Sequence, residues 1–198
     1  MKPNALKKRL PAGILDSATE FICDGHEPWE GHEPLAFHNG QILKYSELPE
    51  REKEIVHQGK IRRPGALEAL IDWGFSDRDS QNKQFILCAL SVMDTTADID
   101  VNGLLQAGEF VPCSKRDSCK YVGKICSLTV RLENGEELTP RQVQVVSKIG
   151  EDRPDKQICG DLGITQSTFR THKDMIKEKG GVSSKSGIAI LAFKYNLI

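Results

Sequence analysis

Four cysteines in the middle of the chain have the residue type of a metal site, although their C-x5-C-x6-C spacing is not the tight C-x2-C of a zinc knuckle. Cys113, Cys119 and Cys126 lie within fourteen residues, and Cys88 precedes them as a fourth thiol. Four thiolates suit a tetrahedral zinc ion and equally an iron–sulfur cluster. The segment around them is polar, a poor place to bury thiols for packing alone. The sequence therefore predicts a bound metal, zinc being favoured over an iron–sulfur cluster, and leaves reduced, partly buried cysteines as the alternative.

A second set of candidate residues lies on a helix predicted at about residues 166–178. Its outward face carries forked, amide, hydroxyl and cationic side chains: Gln166, Ser167, Arg170, Thr171, Lys173 and Lys177. Such side chains contact base edges and phosphates in the major groove of DNA. Arg141 and Lys156, near the starts of the two preceding helices, are placed for phosphate contacts. The alternative is an ordinary helical pair with a solvated face.

The segment CDGHEPWEGHEPLAFH near the N-terminus offers a weaker set of metal ligands. It contains Cys23, His26, Glu27, His32, Glu33 and His38. The two GHEP units are six residues apart with a proline in each, so the imidazoles do not share a helical face as in His-x-x-x-His. The density of Gly and Pro favours a surface loop. A zinc hydrolase using these residues remains an alternative function, although it lacks a second motif downstream.

The elements that must position the basic helix follow from capping and periodicity. Thr139 and Pro140 predict the start of a helix that ends at Gly150, and a second helix is predicted over residues 154–162. Gly163 is placed for a left-handed C-cap, and Thr165 for the N-cap of the third helix. Two helices joined by such a turn are typical of a helix-turn-helix. A last helix at 184–195 is apolar on two sides.

The front of the chain is predicted to be mainly helical. One helix runs from Pro49 toward His57 and is broken at Gly59, and another covers residues 64–73. Alternation at 128–132 predicts a short strand. The fold class expected is mainly α: a C-terminal four-helix domain, preceded by a small α-rich domain with a Cys-rich, metal-bound loop and that strand. The expected divisions are an irregular segment 1–45, a helical domain 46–132, a linker 133–137 and a DNA-binding domain 138–198.

The C-terminal 60 residues resemble the LuxR/FixJ/NarL-type DNA-binding domain. Leu138-Thr139-Pro140-Arg141 matches the opening of its first helix. The second helix matches at Asp155, Lys156, Ile158, Cys159, Leu162 and Ile164, and the recognition helix at Thr165, Thr168, Phe169, Arg170, His172 and Ile176. The resemblance implies DNA binding through residues 166–178 and a homodimer formed through helix 184–195. Packing of that helix face against the front domain is the alternative to a dimer.

This chain departs from the family pattern at three places. Gln142 replaces the usual glutamate, so any salt bridge made there in relatives is lost or replaced by an amide contact. Gly180 replaces a core leucine, which is expected to loosen the end of the recognition helix. Phe169 replaces a valine and is expected to fill part of that gap. A looser resemblance joins residues 65–127 to the front half of small bacterial and prophage regulators that carry the same C-terminal domain.

Charge is distributed unevenly along the 198 residues. The net charge is −1, but from Leu138 onward ten Lys and Arg stand against six Asp and Glu, which gives +4 there and −5 before it. A basic domain behind an acidic one is expected when only one part meets DNA. The chain shows no membrane span or signal peptide, so a reducing cytoplasm and thiols rather than disulfides are expected.

The sequence therefore predicts a cytoplasmic, non-enzymatic transcriptional regulator specific for double-stranded DNA. Its front domain would be a metal-stabilised or sensing module. The predicted partners are DNA and a second copy of the chain, with RNA polymerase as a further candidate and no membrane. Besides the zinc hydrolase, an adaptor derived from a helix-turn-helix that has lost DNA binding is an alternative.

Overall fold

A computed structural model describes residues 10–25, 27–93 and 96–198, in two compact units, Met1–Ser127 and Leu128–Ile198. The basic residues at positions 2–9 and His26 lie outside the described residues. The division between the units falls after Ser127, so residues 133–137, expected to form a linker, lie inside the second unit.

A three-stranded antiparallel sheet occupies the region expected to be irregular, which corrects that prediction. Its strands are β1 (Thr19–Ile22), β2 (Leu35–His38) and β3 (Gln41–Lys44), in that order. His38 pairs with Gln41, so Asn39 and Gly40 form a two-residue turn, both with positive φ. Asn-Gly is the preferred sequence for such a turn, because its twist matches that of the strands. Strands of four residues are too short to show a clear alternation.

Three α-helices complete the first unit. After a 3₁₀ turn at Tyr45–Glu47, α1 spans Glu50–Arg62, α2 Ala66–Asp72 and α3 Arg78–Ala89. Helix α1 continues through Gly59, contrary to the break expected there. A Cβ at Gly59 would lie 2.0 Å from Leu105 Cδ2, so the glycine makes room for a residue packed against the helix.

The core of the first unit joins the sheet to the helices. Phe21 and Ala36 from the sheet are buried together with Val56, Leu70 and Ile86 from the three helices. Residues 98–99 extend the sheet edge: Ile99 forms an antiparallel bridge with Thr19, and Asp98 Oδ2 accepts a hydrogen bond from Phe21 N at 2.7 Å. The long polar segment after α3 is therefore held to the sheet at this point.

The second unit is a small hairpin followed by four helices. Strand β4 (Val130–Arg131) pairs with β5 (Glu137–Leu138), and the helices are α4 (Pro140–Gly150), α5 (Asp155–Leu162), α6 (Gln166–Gly180) and α7 (Lys185–Lys194). Apolar residues from all four helices are buried, among them Val146, Ile158, Ile176 and Ile188. Within the described residues, no helix has the length and apolar character needed to cross a membrane.

Candidate nucleic-acid interface and cysteine-lined cavity

The helix-turn-helix predicted from the sequence is formed by α5 and α6. Gly163 ends α5 with φ of 60°, a left-handed conformation that favours glycine. Thr165 then caps α6, its hydroxyl accepting a hydrogen bond from Thr168 N at 3.1 Å. The turn is fixed locally at both ends, so α6 has a defined start.

One face of α6 presents a row of exposed polar side chains. Gln166, Ser167, Arg170 and Thr171 are all exposed. Residues four apart on a helix are neighbours, so these four form one patch over the first two turns. Lys156, at the N-terminal turn of α5, is also exposed. The patch combines amide, hydroxyl and guanidinium groups, which are the donors and acceptors that base edges and phosphates require.

Lys173 and Lys177 are placed differently from that exposed row. Lys173 Nζ lies 2.7 Å from Asp155 Oδ2 and over the ring of Phe169, and its side chain is 22% exposed. Lys177 Nζ lies 2.7 Å from Asp174 Oδ1. Both cations already have an anionic partner within the domain, so their role as DNA contacts stays a prediction that requires these pairs to open.

Asp155 links three helices of the second unit. Its carboxylate, at the start of α5, lies 2.7 Å from Lys173 Nζ on α6 and 2.8 Å from Lys185 Nζ on α7. Partial burial raises the pKa of Asp155, but the hydrogen bonds and charges of the two lysines outweigh it and hold the pKa below its usual value. Asp155 is therefore a structural anion that joins α5 to α6 and α7.

Arg141 is half-buried and bonded within the domain. Its Nη1 donates to Gln144 Oε1 at 2.8 Å, and its Nη2 donates to the carbonyl of Leu162. The side chain thus joins α4 to the C-terminal end of α5. Its predicted phosphate contact remains a prediction, while its observed contacts position the helix that precedes the turn.

The three departures from the family pattern have visible consequences. Gln142 is buried, and its Oε1 accepts hydrogen bonds from Thr139 N at 2.9 Å and Lys179 Nζ at 3.2 Å. At Gly180 a Cβ would lie 2.4 Å from Leu191 Cδ1, so Leu191 lies in the space beside the glycine. Phe169 is also buried, but α6 remains helical through Gly180 rather than loosening there.

The four cysteines predicted as ligands come together in the first unit. Cys88, at the end of α3, lines one cavity of about 380 Å³ together with Cys113, Cys119 and Cys126. All six cysteines of the chain lie in the described part, and the structure places none of them in a disulfide. The structure thus brings together the four cysteines that the sequence grouped, and their binding of a metal stays a prediction.

The thiols are near one another without forming a single-ion site. Among the described residues, no three Cys, His, Asp or Glu side chains lie close enough to hold one metal ion. Burial is the main cause that raises the pKa of the Cys88 thiol to about 12; the hydrogen bond from Gln84 acts in the opposite direction, and the charges of the neighbouring cysteines add to the rise. Without a metal the Cys88 thiol is therefore protonated at neutral pH.

The remaining wall of the cavity comes from residues that the sequence did not single out as site residues. Trp29 and Trp73 line it, as do Tyr121 and Arg116, with Trp73 stacked on Tyr121 at 4.8 Å between ring centroids. Trp29 follows the first GHEP unit, whose Pro28 carbonyl accepts from Gln84 Nε2 at 2.8 Å. The GHEP loop and the Cys-rich segment therefore belong to one site. An aromatic residue in each segment, Trp29 and Tyr121, was the feature of the sequence that could have indicated a shared site.

The N-terminal histidines and glutamates do not assemble into a hydrolase site among the described residues. His38 is buried, with Nδ1 2.9 Å from Thr19 Oγ1 and Nε2 2.9 Å from Asn39 Nδ2. Glu33 Oε1 accepts from Ser46 N and lies 3.3 Å from Lys83 Nζ. Glu27 accepts from Ser114 N, and His32 lies near Glu30. These side chains hold loops in place.

The geometry of the second unit thus defines a helix-turn-helix domain with an exposed polar face on α6. Comparison with protein families agrees: residues 136–192 match the family of bacterial regulatory proteins, luxR family. A curated relative, the transcriptional regulatory protein MctR of Rhizobium johnstonii, is 33% identical over 69 residues, which cover 34% of this chain and 32% of that protein. The match thus spans about a third of the length of the relative. No solved structure gives a significant match.

The C-terminal domain is therefore a LuxR-type helix-turn-helix domain. The family match covers the hairpin strand β5 and the helices α4 to α6 completely, and most of α7.

Proposed function

We propose that the chain is a sequence-specific, double-stranded DNA-binding transcriptional regulator with no catalytic activity of its own. The observation that carries the proposal is the exposed patch of Gln166, Ser167, Arg170 and Thr171 on α6, within a LuxR-type domain. In this proposal α6 enters the major groove, and the exposed Lys156 neutralises a neighbouring phosphate.

Within the patch, Arg170 is the residue best suited to specify a base. A guanidinium can donate two parallel hydrogen bonds to the O6 and N7 of guanine, a contact that contributes about 1–3 kcal/mol of discrimination. Arg170 is exposed on α6. It lies two turns closer to the start of the helix than Lys177, and the N-terminal part of a recognition helix is the part that contacts bases.

The test is the selection of binding sites from a random pool of duplex DNA, followed by affinity measurements on the selected site and a scrambled one. We expect Arg170→Ala to reduce the preference for the selected site by roughly 10- to 100-fold, the equivalent of that discrimination. Arg131→Ala is the matched control. It removes an equally exposed arginine from the same unit, outside the helix-turn-helix, and should leave the preference unchanged.

A selection that recovers no motif, together with unchanged affinity in Arg170→Ala, would contradict the recognition of DNA bases by α6. That result would favour the alternative of a protein-interaction adaptor. The polar and cationic character of the exposed patch is what places DNA ahead of an adaptor.

We also propose that two copies bind DNA together through α7. Ile188, Leu191 and Ala192 are buried in the domain, whereas Ile190 and Phe193 are 66% and 77% exposed. Paired apolar faces of this kind would set two recognition helices about one DNA turn, roughly 34 Å, apart. A bound regulator would then be placed to meet RNA polymerase in the cytoplasm.

For the first unit we propose a module that holds a metal at the four cysteines, either as a scaffold or as a sensor. A variant lacking the clustered cysteines separates these roles. A scaffold unfolds when its metal is lost, whereas a sensor keeps its fold and changes its DNA affinity.

A further inference from the structure

We propose that the four-cysteine cavity of the first unit binds an iron–sulfur cluster rather than a single zinc ion. The proposal rests on the metal-binding role suggested above for the first unit, and it is independent of whether α6 binds DNA. The cluster would be held by the thiolates of Cys88, Cys113, Cys119 and Cys126.

The spacing of the ligands is the first argument. A zinc ion bound by thiolates at about 2.3 Å holds each pair of sulfurs roughly 3.8 Å apart in a tetrahedron. The described residues contain no group of three ligands close enough for one ion, although all four cysteines line the same cavity. A cluster places several irons and bridging sulfides between its thiolates, so it requires ligands that share a cavity without touching one common ion.

The size of the cavity is the second argument. Its volume is about 380 Å³, whereas roughly 10–15 Å³ is enough to hold one water molecule. A single ion would fill only a small part of this space. An inorganic core of iron and sulfide would occupy it, with Trp29 and Trp73 in the wall limiting access of water.

Charge at the cavity wall is the third argument. Four thiolates make either metal centre anionic, and Arg116 Nη1 lies 3.9 Å from Cys126 Sγ. The Nε of Arg116 is buried and has no hydrogen-bond acceptor among the described residues. A bound cluster would supply acceptors, because its bridging sulfides accept hydrogen bonds as thiolates do.

Hydrogen bonding to the ligands connects the cluster site to the GHEP loop. Gln84 Nε2 donates to Cys88 Sγ at 3.1 Å and to the Pro28 carbonyl at 2.8 Å, so one amide contacts both a ligand and the loop. Lys115 Nζ lies 3.3 Å from the centroid of the Trp29 ring. Groups of this outer layer orient ligands and tune the potential of a metal centre.

Transfer of a complete cluster to the cysteines changes no oxidation state, so the reaction requires no oxidant or reductant. A preassembled cluster is the reactant, and its irons and sulfides keep their oxidation states. Each new Sγ–Fe bond replaces one cysteine S–H bond and one bond between iron and a ligand of the synthetic cluster, and the departing ligand takes up the proton.

The experiment uses the full chain, purified without oxygen and then incubated with a preassembled synthetic iron–sulfur cluster. Iron, acid-labile sulfide and zinc are measured together with visible absorption. We expect iron and sulfide in equal amounts, broad visible absorption, and zinc well below one ion per chain. Conversion of each lining cysteine to serine, as in Cys113→Ser, should remove most of the iron. Cys23→Ser is the matched control, because Cys23 is in the same unit but does not line the cavity, and it should keep the cluster.

The serine variants could lose iron because they fail to fold. Arg116→Gln retains all four cysteine ligands and therefore tests the site without removing a ligand. We expect it to keep the iron but to lower the reduction potential, because a cation beside the cluster is removed. One zinc per chain with no sulfide, or no bound metal after incubation, would overturn the proposal, as would a cluster retained by all four serine variants. Site selection on DNA is a separate measurement, so a failure of the cluster and a failure of DNA binding can be told apart.

Discussion

At the scale of single residues, Lys60 is a lysine whose ammonium group is buried in the first unit. Its side chain is fully buried, and Nζ donates to two neutral amide oxygens, Gln81 Oε1 at 3.0 Å and Asn82 Oδ1 at 2.8 Å. Burial, helped by the charge of Arg78, lowers the pKa of Lys60 from 10.5 to about 8, although Asp77, Asp79 and Glu54 act in the opposite direction. Removing a charge from water is costly unless it is paired, which explains the direction.

The lowered pKa of Lys60 predicts a pH dependence of stability. Between about pH 8 and 10.5 the unfolded chain keeps the proton of Lys60 while the folded chain has released it. The contribution of Lys60 to the free energy of unfolding therefore rises with pH across this window. Denaturant titrations over this range should show wild type gaining stability relative to Lys60→Met. Lys124→Met, which removes an exposed lysine of the same unit, should show no such trend. A difference between wild type and Lys60→Met that stays flat with pH would contradict this reading.

The candidate DNA residues show what spacing can predict and what it cannot. Helical periodicity correctly placed Gln166, Ser167, Arg170 and Thr171 on an exposed face, because it depends only on neighbours in sequence. It could not foresee that Lys173 pairs with Asp155, eighteen residues earlier, since that contact exists only after α5 and α6 have packed. The chemistry of a side chain was available from the sequence, but its partner was not.

At the scale of elements, caps were predicted better than interiors. Thr139 and Thr165 begin their helices and Gly163 ends its helix as the sequence indicated, because each acts through hydrogen bonds or backbone conformation within a few residues. The helix break predicted at Gly59 was wrong, because the glycine instead leaves room for Leu105, a residue far along the chain. The Asn39-Gly40 pair is also a local pattern, typical of a two-residue turn, and it could have predicted the β2–β3 hairpin.

The capping box of α4 supports a prediction at this scale. Thr139 and Gln142 exchange hydrogen bonds, and Lys179 donates to the same Gln142 oxygen. We expect Gln142→Ala to lower the free energy of unfolding by about 1 kcal/mol, the usual cost of a lost cap. Gln142→Glu should be at least as stable as wild type at neutral pH, because hydrogen bonds to an ionised acceptor are stronger.

Thermal or denaturant unfolding of both variants is the measurement. Gln157→Ala provides a comparison at an exposed glutamine of the same domain, away from the capping box, and should change stability less than Gln142→Ala. Equal stability of Gln142→Ala and wild type would mean that the box does not stabilise the helix start.

At the scale of the whole molecule, the apolar face of α7 carries the prediction of a dimer. We expect Phe193→Asp to weaken self-association on DNA by at least about tenfold, because a charge would be placed in an apolar interface. Sedimentation or mass photometry with a duplex carrying two half-sites measures this. Val101→Asp, at an exposed apolar position in the first unit, is the control. Unchanged association in Phe193→Asp would exclude α7 as the contact.

The cavity lined by the four cysteines could be predicted only in part, because some of its wall comes from segments that are distant in the sequence. The residue type marked Cys113, Cys119 and Cys126 as a set, with Cys88 as a plausible fourth thiol, and α3 places Cys88 at the cavity that the other three line. The Trp29 loop could not be assigned to the same site from the sequence, because some ninety residues separate it from Cys119. Its contact depends on the packing of the entire first unit.

The position of the division between the units bears on how such a protein could have arisen. The second unit runs without interruption from Leu128 to the C-terminus and includes β4, whose Val130 is buried beside the strand that precedes α4. A gene fusion that joined this domain to another at residue 138 would have discarded half of the hairpin and exposed Leu138. Recombination ahead of Leu128 would instead have transferred a segment with all of its strand pairing intact.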